Sequence, residues 1–279
     1  MMPDKTILIT GALGHIGSRL IREISNSGKY STIYLLDNLH TNRYCSLFNL
    51  PQNVTYKFIN DDVRNIEKIE FVENIDVVVH LAAYTNPLLS HNDPENFMSH
   101  NSDCTKSIVK FSIDNSARLI YISSTSIYSK SIENINEECS EDCISGQTPY
   151  AISKIAEEKI VVEECSDHNA ESIILRLGTI YGKSDGMRFH TAVNKFCWDA
   201  AIYNTCKIWR TAFNQKRPYL DIRDAVNAII YCGSREDMNS GIYNVATDNV
   251  SVNDIIKCIS KYKSELIVDC VDSPIMNDL

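Results

Sequence analysis

The sequence predicts an α/β fold, a doubly wound parallel sheet with a smaller C-terminal lobe interleaved with it. Three observations point there. Short β-branched runs alternate with longer helical patterns through the first two-thirds of the chain. Those runs lack strict polar–apolar alternation, as strands covered on both faces do. The first run meets a glycine-rich turn at Gly11 and leads straight into a helical pattern.

In order, strands are expected at 5–10, 32–37, 54–59, 76–80, 118–122 and 172–177, and helices at 14–27, 64–73, 94–114 and 149–167. After Leu177 the rhythm changes. A helix at 188–203 leads to short strands at 207–209 and 219–222. A helix at 224–231, a strand at 242–246, a helix at 252–261 and a strand at 266–271 follow. The expected division is 1–181 with a return segment near 219–233, and a second lobe over 182–279.

A chain of 279 residues is one large domain or two intimate ones. Lys+Arg is 27 and Asp+Glu 36, a net charge of −9 with no basic block, which argues against nucleic acid or an anionic membrane as the main partner. No stretch approaches the ~20 apolar residues of a membrane span, and the N-terminus has no signal-like apolar region. The 10 cysteines form no C-x-x-C. They read as reduced thiols of a cytoplasmic protein, and no Cys/His cluster has metal-site spacing.

The turn ILITGALGHIGSRL places Gly11, Gly14 and Gly17 after a strand and at a helix start. Such a turn needs unusual backbone angles, lets the main chain approach a pyrophosphate, and allows close helix–strand packing. The helix N-terminus offers free N–H groups to phosphates. Asp37 follows Gly17 by 20 residues, at the end of the second strand. An acid there accepts from the adenosine ribose hydroxyls and disfavours a 2′-phosphate, so NAD is the expected cofactor of this Rossmann-type half, although Arg43 could sit near a 2′-phosphate. Asp62, in DDV after the third strand, reads either as an adenine contact or as a solvated cap. His80, in HLAA, reads as a packed core histidine.

Ser124 lies in SSTSIYS at the end of the fifth strand; Tyr150 and Lys154 lie in PYAISK at a helix start. Tyr and Lys four apart share one helix face. A lysine charge and a positive nicotinamide ring both favour phenolate, which makes Tyr150 a usable base. Ser124 then holds the substrate hydroxyl.

These motifs in this order resemble the extended short-chain dehydrogenase/reductases, specifically the NAD-dependent nucleotide-sugar epimerase/dehydratase family. The likeness runs from about Lys5 to about Lys261 and includes TGALGHIG, DDV, HLAA, NSDCT, SSTSIY, PYAISK, RLGTIYG, KRPYLDIRDAVNAI and GIYNVAT. It implies a catalytic trio of Ser124, Tyr150 and Lys154. It implies cofactor contacts from Gly11, Gly14, His15, Ile16, Gly17, Asp37, Asn38, Asp62, Val63, Leu81, Ala82, Ala83, Asn101, Tyr150 and Lys154, with Asn101 supporting the active-site helix. Substrate contacts are implied for Ser124, Thr125, Tyr150, Thr179, Arg188 and Arg217. Arg217 would grip a nucleotide-sugar pyrophosphate, and Met187-Arg188 would open a helix of the substrate lobe. The helix carrying Tyr150 and Lys154 is expected to pair with its copy in a homodimer, and the second lobe to bind substrate. Relative to the family, the chain ends short of the usual final helix.

Departures narrow the chemistry. Thr179 stands where many members carry asparagine. Thr125-Ser126 occupy the place of the Asp-Glu pair of 4,6-dehydratases, and Thr125 the place of the cysteine of C3/C5 epimerases. The expectation is NAD-dependent redox chemistry at C4 of a sugar linked to UDP or GDP, by a 4-epimerase or a C4 dehydrogenase/reductase, as in polysaccharide precursor synthesis. The alternatives are a 4,6-dehydratase or a non-catalytic NAD-binding sensor.

Overall fold

The computed structural model describes residues 5–129, 135–139, 144 and 148–272. In chain order the elements are β1 (Thr6–Thr10), α1 (His15–Asn26), β2 (Thr32–Leu36), β3 (Thr55–Ile59), β4 (Val77–His80), α2 (Pro87–Asn92), α3 (Pro94–Asp114), β5 (Arg118–Ser124), α4 (Pro149–Asp167), β6 (Ser172–Leu177) and β7 (Thr179–Tyr181). There follow α5 (Ala192–Tyr203), β8 (Thr205–Trp209), β9 (Lys216–Asp221), α6 (Ile222–Ser234), β10 (Gly241–Val245), β11 (Asp248–Ser251), α7 (Val252–Ser260) and β12 (Ile267–Val271).

Seven strands form one sheet in the order β3-β2-β1-β4-β5-β6-β10, every pair parallel. The chain reverses its direction of winding between β1 and β4, so the strand ends there open into the crevice where such sheets bind ligands. Successive residues of β1 serve opposite faces. Ile7 and Ile9 join Leu20, Ile21 and Ile24 of α1 and Val226 and Ile229 of α6 in one core. Leu8 joins Ile108 and Val109 of α3 and Val161 and Cys165 of α4 in the other. Two later segments thus return to this sheet, α6 on its face and β10 at its edge. The rest builds a small lobe from the sheets β11-β9-β7 and β12-β8, packed around Phe196, Ile208, Tyr219, Ile255 and Ile256.

The expected elements form, with differences, among them the helix α2, which was not anticipated. The helix expected over 64–73 is a short 3-10 helix, Val63–Lys68. Asp62 caps it by accepting from Arg64 N, it closes when Ile69 N donates to Ile66 O, and Val63 and Ile66 are the residues it buries, too narrow a stripe to carry a longer helix. The helix expected from 188 starts at Ala192, because Asn194 draws the preceding chain into a turn: its amide donates to Arg188 O at 2.9 Å and accepts from Gly182 N at 2.9 Å. Arg188 therefore lies in a loop and does not open a helix. β7 and β11, not anticipated, flank β9. Cys139 is disulfide-bonded, against the expectation of reduced thiols throughout, whereas Cys45, Cys104, Cys165, Cys197, Cys206, Cys232, Cys258 and Cys270 are free. Cys143 and the final SPIMNDL lie outside the described residues. Among the described residues no helix is long and apolar enough to cross a membrane.

A buried ion pair ties α4 to β6. Arg176, 3% exposed, donates to Glu158, 6% exposed, from Nη2 at 2.7 Å and Nε at 3.0 Å. Arg176 Nη1 also donates to Tyr128 Oη at 2.8 Å, and Tyr128 donates on to Asn244 of β10. Removing one partner of such a pair strands the other charge away from water. Glu158→Ala is expected to destabilise the fold by about 3–5 kcal/mol, read as a lowered urea midpoint; a midpoint equal to that of the wild type would contradict it.

Candidate active site

The turn after β1 closes because two glycines lack side chains. Gly11 has φ +62°, and a Cβ there would lie 2.7 Å from Ala82 N at the end of β4. A Cβ on Gly17 would lie 2.4 Å from Ala12 O. Gly14 is the N-cap of α1, so the first amides of α1, at His15, Ile16 and Gly17, have no carbonyl of their own helix to bind. A later loop packs on the same turn: Gly186 N donates to Ser18 Oγ at 2.9 Å, and Arg22 pairs with Asp185 at 2.9 Å.

Asp37 sits at the end of β2. Its carboxylate accepts from Leu13 N at 3.0 Å and Leu39 N at 2.9 Å, holding the turn against the strand end. Asn38 donates to Asp62 at 3.0 Å. Arg64 binds Asp62 in bidentate fashion and holds its carboxyl down at about 2. Asp62 is therefore a cap and an ion-pair partner here, and Val63 beside it is buried.

At the end of β4, Thr10 gathers the chain: its carbonyl accepts from Leu81 N and its hydroxyl from Ala82 N. His80 meets the same hydroxyl at 2.8 Å. Burial, with Lys154 adding to it, drives His80 down to about 3, so it is the neutral core histidine expected. Asn101 has both amide atoms on the backbone of Tyr84, at 2.8 and 3.1 Å. It thereby shapes the segment following Ala83.

Ser124 ends β5 and accepts from Ser126 N at 3.2 Å. Thr125 Oγ1 donates to Leu177 O at 3.3 Å. α4 starts at Pro149, with Thr148 accepting from Ala151 N at 3.1 Å, the favoured capping chemistry. Tyr150 is half-buried, its ring 6.3 Å from that of Phe97. Lys154 is buried; its Nζ donates to Ile122 O of β5 at 3.2 Å and to Glu157 at 2.7 Å. Burial opposes the Lys154 charge, but Glu157 and then the Tyr121 and Tyr150 phenols outweigh it, and the lysine holds its proton more tightly than usual. Glu157, Glu158 and Tyr121 were not anticipated. The signal available was an acidic pair placed i+3 and i+4 from Lys154, on the face that buries Val161.

Opposite α4, Arg188 donates to Thr85 O and to His190 Nε2. Burial, partly offset by the Tyr150 phenol and reinforced by Arg43, lowers the Arg188 affinity for its proton. His15 bonds Gly182 O at 2.9 Å and is driven to about 4, by burial first and then by Arg188, Arg43 and His190. Arg43 itself feels Asp37. Arg217, half-buried on β9, rests on Gln215, and Thr179 on β7 is exposed. Strand ends, α4 and this cationic loop converge, while Arg217 lies on β9 of the small lobe.

A family model described as the NAD dependent epimerase/dehydratase family matches residues 7–246. The chain belongs to this family of extended short-chain dehydrogenase/reductases, whose cofactor is NAD. It is 30% identical to a dTDP-D-glucose 4,6-dehydratase of Dictyostelium discoideum, over 91% of this chain and 61% of that protein, so it spans about three-fifths of that relative. It is 30% identical to the Bos taurus dTDP-D-glucose 4,6-dehydratase, over 99% of this chain and 80% of that one. Its fold matches a mutant UDP-glucuronic acid 4-epimerase from Bacillus cereus, solved with UDP-4-deoxy-4-fluoro-glucuronic acid and NAD, with TM-score 0.85, 22% identity and coverage of 96% and 86%. The glycine turn fits that cofactor, since side chains at Gly11 and Gly17 would collide with the backbone that shapes it. Gly11→Ala is expected to weaken NAD binding more than about tenfold in a fluorescence titration with NADH; unchanged affinity would contradict the fit.

Proposed function

We propose that this member of the family carries out NAD-dependent oxidoreduction at C4 of a nucleotide-activated sugar, as a 4-epimerase or a C4 dehydrogenase/reductase. The observation that carries the reading is the placement of Tyr150 and Lys154 one turn apart on α4, with Lys154 held against β5, the strand that ends in Ser124. The backbone amides of His15, Ile16 and Gly17, at the end of the turn that Gly11 and Gly14 shape, suit the pyrophosphate. Asp37 and Asn38 suit the ribose, Asp62 and Val63 the adenine side, and Leu81, Ala82 and Ala83 the strand end beyond. When bound, NAD supplies the hydride acceptor.

Tyr150 takes the proton of the sugar hydroxyl, Ser124 orients that hydroxyl, and the Lys154 charge favours the phenolate that does the work. Arg188, Arg217, Thr125 and Thr179 suit the nucleotide and sugar. The positive neighbours of His15 favour an anion beside the glycine turn. The exposed Ile152 and Val162 on α4 support pairing of this helix with its copy in a homodimer. Dehydration at C5 and C6 needs an acid and a base beside Ser124; Thr125 and Ser126 are neutral hydroxyls, and Thr125 is turned onto Leu177 O.

The test incubates the protein with NAD and a panel of UDP-, GDP- and dTDP-sugars. Epimerised sugar without NADH build-up, or NADH with a 4-keto product, supports the reading. A 4-keto-6-deoxy product makes the chain a dehydratase, and binding of NAD without conversion makes it a sensor. Tyr150→Phe is expected to lower turnover by about 10²–10⁴-fold while NAD still binds; retained turnover removes Tyr150 from the role.

A further inference from the structure

Glu157 carries a buried charge that the Tyr150–Lys154 spacing does not require. It is 1% exposed. Its Oε2 accepts from Lys154 Nζ at 2.7 Å and from Tyr121 Oη at 2.6 Å, and its Oε1 accepts from Ser153 Oγ. Tyr121 Oη meets Thr105 Oγ1 of α3 at 2.9 Å, and its ring stacks on His80 at 5.5 Å. A line of buried contacts therefore runs from Thr10 of β1 by a hydrogen bond to His80, by ring stacking to Tyr121, and by hydrogen bonds to Glu157 and Lys154 of α4.

The titratable groups facing this pair are His80 from β4, Tyr121 from β5, Cys104 from α3 and Tyr150 from α4 itself. Burial drives His80 to about 3 and Cys104 to about 12, and raises Tyr121 well above an ordinary phenol, so these three are uncharged at neutral pH. Burial works against the Glu157 carboxylate as well, yet Lys154 outweighs it and holds Glu157 below the usual carboxylate range. Among these groups Glu157 is the one anion that balances Lys154. An ammonium removed from water with no counterion sheds its proton.

We propose that Glu157 is the positioning residue of the tyrosine–lysine pair, holding the buried Lys154 ammonium charged and in place so that Tyr150 keeps its cationic neighbour into alkaline pH. The ammonium has three donors. Glu157 and Ile122 O engage two and leave one for the phenol or a bound ribose. The inference rests on the assignment of Tyr150 and Lys154 under the proposed function.

The test is the pH profile of kcat/KM with NAD and a converted sugar nucleotide, in the wild type, Glu157→Gln and Glu157→Asp. The Gln variant is expected to lose its alkaline activity early, the falling limb moving down by at least about one pH unit, an extra loss of about tenfold near the wild-type limb. The Asp variant, which keeps the carboxylate, is expected to move the limb back toward the wild type. A Gln profile lowered equally at every pH makes Glu157 merely structural and overturns the proposal.

If the Gln variant does not fold, the wild type decides the point. Isotope-labelled lysine followed by NMR, with Lys154→Arg for assignment, is expected to show Lys154 untitrated while exposed lysines titrate near their usual pKa of about 10.4. A Lys154 signal that titrates with or before them overturns the proposal. A wild type that converts no sugar nucleotide fails the functional reading, and the Lys154 titration compared between the wild type and Glu157→Gln still judges Glu157.

Discussion

Two neighbouring glutamates on α4 face inward, and the site depends on what each of them holds. Glu158 reaches Arg176 on β6, and Glu157 reaches Lys154 on its own helix and Tyr121 on β5. Both carboxylates are shut away from water, so any turn of α4 about its axis would leave a buried charge unpaired. That penalty fixes the rotation of the helix. With the rotation fixed, Lys154 meets Ile122 O, and Tyr150 stands one turn earlier, behind the Thr148 cap.

The other half of the site comes from close backbone packing. Parallel strands bring their C-terminal ends to one edge, and the change of winding between β1 and β4 opens a crevice there. The missing side chains of Gly11 and Gly17 allow β1, α1 and the end of β4 to close on one another. The loop through Gly186 joins them: a Cβ at that position would lie 2.3 Å from Leu13 O. This loop carries Arg188 toward both His15 and Tyr150. The glycine turn and the helix carrying Tyr150 and Lys154 thus border one crevice, the arrangement that the proposed chemistry needs.

Much of this was legible in the residues. Strands buried on both faces read as plain apolar runs, and β6 falls on its expected 172–177. The glycine spacing located the turn, and the spacing of Tyr150 and Lys154 placed them on one helix face. What escaped depends on contacts distant in sequence. Glu157 and Glu158 look like solvent-facing charges on an amphipathic helix, and Tyr121 of β5 and Arg176 of β6 give them partners on the inward side. Val63–Lys68 carries a helical pattern, but its two buried residues sustain two tight 3-10 turns and no more. Arg188 follows Met187 in a pattern that suggests a helix, yet Asn194 reaches back and folds it into the loop. β11 is a mostly polar run whose pairing with β9 no local pattern announces.

The most direct measurement is a crystal structure with NAD and a sugar nucleotide bound. The account predicts the Tyr150 oxygen within hydrogen-bond distance, about 2.6–3.2 Å, of the hydroxyl on C4, with Lys154 still on Glu157. A phenol turned out of the crevice, or a sugar presenting another carbon to the nicotinamide, would contradict it.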